Sequence, residues 1–230
     1  MAQNSGILYL VATPIGNLQD ITVRGVEILR GVDFIVCEDT RRSGMLLKHF
    51  EIKKPLRSFH DHSSKAKLDS LIEELKRGAR AAFITDAGTP LISDPGFTLV
   101  REALEAGIGV EGIPGPAALI NALAISGLPT HAFTFGGYLP QKEKARRDTL
   151  KNLEERKETL IFYESPHRIL KVLKDLFEIL GDRQVSLSRE MTKKFEETMR
   201  GRLSEILAHL EGKKILGEWV IVVSGKDERG

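Results

Sequence analysis

The stretch Ala82-Phe83-Ile84-Thr85-Asp86-Ala87-Gly88-Thr89-Pro90-Leu91-Ile92-Ser93-Asp94-Pro95-Gly96 decides how the chain is read. It opens as a short apolar run, which predicts a buried strand. It then breaks into a loop with two glycines, two prolines and two aspartates. Glycine loses more backbone freedom on folding than any other residue, and proline fixes φ and removes a donor. That composition is expensive for a plain connector. A strand whose C-terminal end feeds a rigid, glycine-bearing loop is where open α/β sheets bind ligands. The plainer alternative is a structural turn whose aspartate caps the following helix.

Working outward, Ile7-Leu8-Tyr9-Leu10-Val11-Ala12 is another continuous apolar run, as expected of a strand buried on both faces. It ends in the Pro/Gly loop Thr13-Pro14-Ile15-Gly16-Asn17. Thr22 is placed to cap a short helix through Arg30. Asp33 to Cys37 reads as a strand that runs into Glu38-Asp39-Thr40-Arg41-Arg42, and Leu56 to His60 as a weaker one. Ser64 opens a helix whose Leu68, Leu71, Ile72 and Leu75 fit the 3.6-residue stripe, with Gly78 to stop it. A helix over 97–106 and a strand over 110–113 follow. This β-loop-α alternation predicts a mostly parallel sheet. The loops 13–17, 38–42 and 86–96 then share one edge of it. Gly107-Ile108-Gly109-Val110-Glu111-Gly112 has the spacing of a dinucleotide fingerprint, but it follows a helix and enters a strand, the reverse of what that site needs.

Pro114-Gly115-Pro116 marks the expected boundary between residues 1–115 and 116–230. The second half reads as a small-residue helix over 117–126, strands over 132–137 and 159–163, and a charged helix over 142–157 between them. An amphipathic helix stopped by Gly181, hairpin-spaced strands near 184–190 and 195–200, a helix over 203–211 and a last strand over 218–224 complete it. The hairpin spacing predicts a mixed sheet. In Glu164-Ser165-Pro166-His167-Arg168, Ser165 fits an N-cap and Pro166 the first helical position, while the helix end and its cations suit an anion.

Composition narrows the function. The chain has 230 residues, 41% hydrophobic and 29% charged, as in ordinary globular proteins. No apolar run approaches the ~20 residues of a membrane span, and the N-terminus lacks a cleavable signal pattern. The single cysteine, Cys37, excludes an internal disulfide and suits a reducing cytoplasm. A net charge of +2 is too small to announce a nucleic-acid binder. Local basic clusters do occur: Lys142 to Arg147, and Arg189, Lys193, Lys194, Arg200 and Arg202. Such runs are usually solvated faces, and they could also track a nucleic-acid backbone. The forks of Arg41 and Arg42 suit phosphate oxygens. His60-Asp61-His62 could be half of a metal site, yet no further ligand set accompanies it.

Several strings together resemble one family. They are Val11-Ala12-Thr13-Pro14-Ile15-Gly16-Asn17-Leu18, Cys37-Glu38-Asp39-Thr40-Arg41, His60-Asp61-His62, the 86–96 loop, Pro114-Gly115-Pro116 and Tyr163-Glu164-Ser165-Pro166-His167-Arg168. Their order resembles the tetrapyrrole-methylase superfamily (class III methyltransferases). Within it, the chain is similar to the branch that methylates the 2′-oxygen of a cytidine ribose in small-subunit ribosomal RNA. The resemblance implies two α/β domains, a homodimer, and S-adenosylmethionine bound in the cleft between the domains. By position it implies cofactor contacts from Pro14, Asp86, Ala87, Gly88, Thr89, Ile92, Pro116, Ala117, Ala118 and Tyr163.

On that reading the partner is ribosomal RNA or the assembled small subunit, in the cytoplasm, with neither membrane nor metal. RNA contacts are expected from Arg41, Arg42, His167 and Arg168, and from Arg146, Arg147, Arg189 and Lys193. A base near the ribose hydroxyl would come from Glu38, Asp39, His60, Asp61 or Glu164, unranked. Relatives with a C-terminal helical segment use it on RNA; this sequence stops soon after Val223-Ser224-Gly225, which shifts the expected grip to the two domains or a second subunit. Two alternatives remain open: a methyltransferase acting on a small tetrapyrrole, and a non-catalytic RNA-binding assembly factor. A nucleotide-binding oxidoreductase is disfavoured by the misplaced glycine pattern.

Overall fold

The computed structural model describes residues 6–60 and 63–226. The chain divides into two compact units, Met1–Ala117 and Ala118–Gly230. In the first, β1 (Ile7–Val11), β2 (Phe34–Cys37), β3 (Leu56–Ser58), β4 (Arg80–Ile84) and β5 (Gly109–Ile113) alternate with α1 (Val23–Gly31), α2 (Thr40–His49), α3 (Lys65–Lys76) and α4 (Phe97–Glu105). The strands form one sheet in the order β3-β2-β4-β1-β5, and every pairing is parallel.

Side chains alternate across a strand, and the two faces of this sheet divide accordingly. Leu8, Phe34, Val36, Ala81 and Phe83 pack with Leu68, Leu71, Ile72 and Leu75 of α3 and Leu99 and Ala103 of α4. Tyr9, Val11, Ile35, Cys37, Ala82 and Ile84 pack with Val26 and Leu29 of α1 and Leu47 of α2. Burial on both faces is why these strands read as continuous apolar runs. Parallel pairing brings Cys37 level with Ile84 and Leu10 level with Phe83. The three polar loops therefore leave from one edge, as the β-loop-α alternation predicts.

The expected caps are present. The Thr22 hydroxyl accepts from Gly25 N–H and the Ser64 hydroxyl from Lys67 N–H. The structure adds α2, which the sequence pattern did not single out. Asp39 caps it by accepting from Arg41 N–H. Only Ser43 and Leu47 of this helix are buried, too thin a stripe for hydrophobic periodicity to announce.

In the second unit, α5 (Ala118–Ser126), β6 (Phe133–Tyr138), α6 (Glu143–Lys151), β7 (Thr159–Glu164), α7 (Ile169–Leu180), β8 (Gln184–Arg189), β9 (Glu197–Arg202), α8 (Leu203–Leu210) and β10 (Trp219–Val223) follow in order. The sheet runs β6-β7-β10-β8-β9. β6 and β7 are parallel, and the other pairings are antiparallel. The mixed sheet and the β8–β9 hairpin match expectation. Its main core joins Leu160, Phe162, Leu187, Ile221 and Val223 of the sheet to Val172, Leu173 and Leu176 of α7.

Two helix ends differ from the sequence reading. The charged helix expected over 142–157 stops at Lys151, where Asn152 caps it and turns follow. Only Arg146 and Leu150 of it are buried, so little packing sustains a longer helix. Ser165 is not the N-cap of α7; the helix starts at Ile169 behind Arg168. Ser165 instead gives its carbonyl to Arg168 N–H and Ile169 N–H, and its own N–H goes to Glu164 Oε1 at 2.7 Å. A turn through Pro166 and His167 leads into the helix.

Candidate functional site

The C-terminal edge of the parallel sheet carries the densest set of constrained backbone. Thr13 and Gly88 exchange backbone hydrogen bonds, Thr13 N–H to Gly88 O at 2.9 Å and Gly88 N–H to Thr13 O at 3.0 Å. The Thr13 hydroxyl also donates to Thr85 O at 3.1 Å. The loops after β1 and β4 are thereby clasped together. Thr89 extends the clasp by donating to Pro116 O at 3.0 Å.

Glycine is required at two points. Gly88 has φ +83°, with Pro116 O and the Ile15 side chain close to where a Cβ would sit, and Gly96 has φ +122° with the Phe83 ring against it. Leu91 and Ser93 also have positive φ, 70° and 63°, which non-glycine residues rarely adopt. Gly96, rather than an aspartate, stands at the N-cap of α4.

The expected cofactor residues lie as follows. Pro14 and Gly88 are buried, Thr89 is half-buried, and Ala87 and Ile92 are exposed. Asp86 has one oxygen, Oδ2, paired with Arg42 Nη1 at 3.0 Å. Its other oxygen, Oδ1, is buried with no hydrogen-bond partner. Pro116, Ala117 and Ala118 are half-buried, and Ala118 opens α5. In the second unit the Tyr163 hydroxyl accepts Leu119 N–H at 3.1 Å, a first-turn donor that would otherwise lack a partner. The rings of Phe135 and Tyr138 meet Tyr163 edge-on, 5.0 and 5.7 Å between centroids.

The candidate bases separate sharply. Asp39 is ion-paired to Arg41 at 2.8 Å, and hydrogen bonds from the Arg41 side chain and amide hold its carboxyl down at about 2. That makes it a weak proton acceptor. Glu164 is 1% exposed; Oε1 accepts Ser165 N–H, and Oε2 pairs with the Arg168 charge at 3.2 Å but is buried without a hydrogen bond. Glu38 is half-buried at the end of β2, and His60 is exposed, its N–H bonded to Ser63 Oγ at 2.9 Å. Asp61 and His62 lie outside the described residues.

Of the second unit's expected RNA-contacting residues, Arg146 is ruled out by burial. Arg146 is 1% exposed; its guanidinium meets Asp175 at 2.6 Å and the Gln141 carbonyl at 3.1 Å. It braces α6 against α7 and is out of reach of any partner. Arg168 donates to Leu139 O at 2.7 Å and Pro140 O at 3.2 Å, holding the chain after β6. Arg147 is tied to Asp175 and Glu178, Arg189 to Glu197 at 2.8 Å, and Lys193 to Glu190 and Glu218, both at 3.0 Å. His167 is exposed. In the first unit the Arg41 and Arg42 side chains are 88% and 66% exposed and stand on the first turn of α2.

Asp94 was not among the candidates, yet it belongs to this edge. Burial first, and then the Glu38 and Asp86 charges, push its carboxyl up to about 6, with the Thr85 hydroxyl pulling the other way. No sequence signal separates it from a turn aspartate; the separation comes from the left-handed residues around it. The described residues contain no cluster of three or more His, Cys, Asp or Glu side chains able to hold a metal ion.

Comparison with known proteins agrees with this architecture. A family model described as Tetrapyrrole (Corrin/Porphyrin) Methylases matches residues 7–207. The chain is 49% identical over 222 residues to "Ribosomal RNA small subunit methyltransferase I" of Thermotoga maritima, covering 96% of this chain and 100% of that one. It is 51% identical over 229 residues to the protein of the same name in Haemophilus influenzae, covering 98% and 81%. Among solved structures it resembles a cobalt precorrin-4 methyltransferase (TM-score 0.70, 18% identity, 95% and 94% covered). It also resembles the uroporphyrin-III-C-methyltransferase of Thermus thermophilus (TM-score 0.64, 21% identity, 95% and 94% covered). The two structures share the fold. With a family model spanning most of its length and relatives near half identity, the chain belongs to the tetrapyrrole (corrin/porphyrin) methylase family.

Proposed function

We propose that this protein is an S-adenosylmethionine-dependent methyltransferase that modifies the 2′-oxygen of a cytidine ribose in small-subunit ribosomal RNA. The observation that carries this is near-half identity, over almost the whole chain, to proteins named as small-subunit ribosomal RNA methyltransferases. The clasped loops fit the cofactor chemically. Gly88 holds the loop at φ +83°, a conformation that a residue with a side chain would strain, and Asp86 Oδ1 is a buried acceptor without a donor. Ile92 adds apolar surface for an adenine or methionine portion.

S-adenosylmethionine supplies a methyl group made electrophilic by its sulfonium. The chain's own task is to hold, orient and exclude water. In this reading Asp86, Gly88 and Ile92 hold the cofactor. Arg41 and Arg42 engage RNA phosphates, which positions the strand without reading its sequence. A homodimer in the cytoplasm belongs to the same reading. No helix among the described residues is long and apolar enough to cross a membrane.

The test is methyl transfer from labelled S-adenosylmethionine to unmodified small subunits and to naked RNA, followed by nucleoside analysis. Label in 2′-O-methylcytidine supports the proposal. Cofactor binding with label entering only a porphyrinoid would replace it with the tetrapyrrole reading. RNA binding with no transfer to either would leave an assembly factor.

A further inference from the structure

The second unit presents an aromatic ring outward from a fixed frame. On the parallel pair β6–β7, Phe135 lies opposite Ile161 and Tyr138 opposite Tyr163. Three steps along β6 therefore match two along β7, the extra residue of a β-bulge. In a regular strand Phe135 and Tyr138 would point to opposite faces. The bulge puts both on the face of Tyr163, whose ring each meets edge-on, at 5.0 and 5.7 Å between centroids. Two glycines make this possible. A Cβ on Gly136 would come within 2.6 Å of the Phe162 ring, and Gly137 has φ +60°.

The frame is held on both sides of the ring. The Tyr163 hydroxyl accepts Leu119 N–H at 3.1 Å. Leu139, the next residue, is buried in the core with Phe162 and α7. Its carbonyl and that of Pro140 accept from Arg168, and the Gln141 carbonyl accepts from Arg146. The two inward arginines thus stiffen the chain immediately behind Tyr138. Tyr138 itself is 54% exposed, and its edge-on contact with Tyr163 occupies at most one face of its ring.

We propose that Tyr138 is a stacking platform for an unpaired base of the RNA substrate. This rests on the methyltransferase reading above and adds a base contact to it, where Arg41 and Arg42 engage phosphates. RNA is recognised largely through unpaired bases splayed onto aromatic side chains. A ring already held in place loses little further freedom when it binds. The surroundings suit a nucleotide. Lys142 and Lys144 are exposed, and Lys142 lies at most about 14 Å along the chain from Tyr138. The carboxylate between them, Glu143, is offset by Lys171 at 3.2 Å. A protein partner would need a contiguous apolar patch, whereas Gln141 to Lys144 are polar and exposed.

The test measures binding of unmodified small subunits by filter retention across a salt series, for wild type, Tyr138→Leu, Tyr138→Phe and Tyr138→Trp. S-adenosylmethionine affinity by calorimetry, oligomeric state by sedimentation and methyl transfer are measured on the same preparations. Tyr138→Leu should weaken binding about 5- to 150-fold, the range of one base–aromatic stack. The slope of log affinity against log salt should stay at the wild-type value, because stacking releases no counterions. Tyr138→Phe and Tyr138→Trp keep a ring and should bind within about threefold of wild type. Tyr138→Gln takes the place of Tyr138→Leu if that variant does not fold. Tyr138→Phe binding as weakly as Tyr138→Leu, or a salt slope that falls with affinity, overturns the assignment. So does cofactor affinity or oligomeric state lost in step with RNA binding, which would make Tyr138 a cofactor or subunit contact. Methyl transfer by wild type with unaltered binding by Tyr138→Leu overturns the stacking contact alone. Absence of any transfer by wild type overturns the functional reading and this inference with it.

Discussion

The two units treat the same residue types in opposite ways. On the parallel sheet of the first unit, Arg41 and Arg42 project from the first turn of α2 into water, each held by one carboxylate. On the mixed sheet of the second unit, Arg146 and Arg168 turn inward and spend their donors on carbonyls and buried acids. An arginine at a helix start is therefore not one kind of residue. Where a carboxylate and backbone carbonyls converge below the surface, the planar fork is consumed as a brace. Where only a surface carboxylate is present, the fork stays available to exchange that partner for a phosphate, since exposed ion pairs contribute little.

The largest effect that would break this contrast is at Arg146. Arg146→Ala removes the inward partner of Asp175, although Arg147 still reaches that acid. We expect about 3 kcal/mol of destabilisation, read as a lower denaturation midpoint of the second unit, with no selective change in the salt dependence of RNA binding. A mutant as stable as wild type would return Arg146 to the surface set. Next comes Gly88→Val, which places a branched side chain at φ +83°. It should raise the cofactor dissociation constant at least tenfold in a protein that still unfolds cooperatively; calorimetric titration checks this.

Arg42→Ala sharpens the comparison from the other side. Stability should change by less than about 0.5 kcal/mol. RNA affinity should fall several-fold, and the slope of log affinity against log salt should drop by about 1. Filter binding across a salt series decides it.

The smallest effect concerns Asp94. Its folded carboxyl lies at about 6 against a usual 3.8, so between those values the native state binds more protons than the unfolded chain. Stability contributed by the neutral form is complete below about pH 4 and lost as pH rises through 6. The full shift corresponds to about 3 kcal/mol, and screening at a half-buried site reduces this to about 1 kcal/mol. Asp94→Asn should therefore raise the melting temperature by a few degrees at pH 8 and leave it nearly unchanged at pH 4.

The sequence made the parallel sheet readable because β1, β2 and β4 are buried on both faces and allow no polar interruption. Thr22 and Ser64 were readable as caps because a hydroxyl before an apolar stripe has few other uses. Helix α2 was obscured by burying only Ser43 and Leu47. Arg146 and Arg147 are adjacent and identical in letter; only the register of α6 against α7 sends one inward and leaves the other a third exposed. Asp94 is spelled like any turn aspartate, and nothing in the string Ser93-Asp94-Pro95-Gly96 announces the left-handed φ of 63° at Ser93.

The reciprocal pairing of Thr13 with Gly88 carries a consequence for how this chain can vary. Two loops some seventy residues apart in sequence are in register at a single pair of residues. An insertion or deletion on the sheet side of either residue would slide that pairing and turn Gly88 out of its place. The lengths from Val11 to Thr13 and from Ile84 to Gly88 should be tied to each other, so that neither can be re-engineered without redesigning its counterpart.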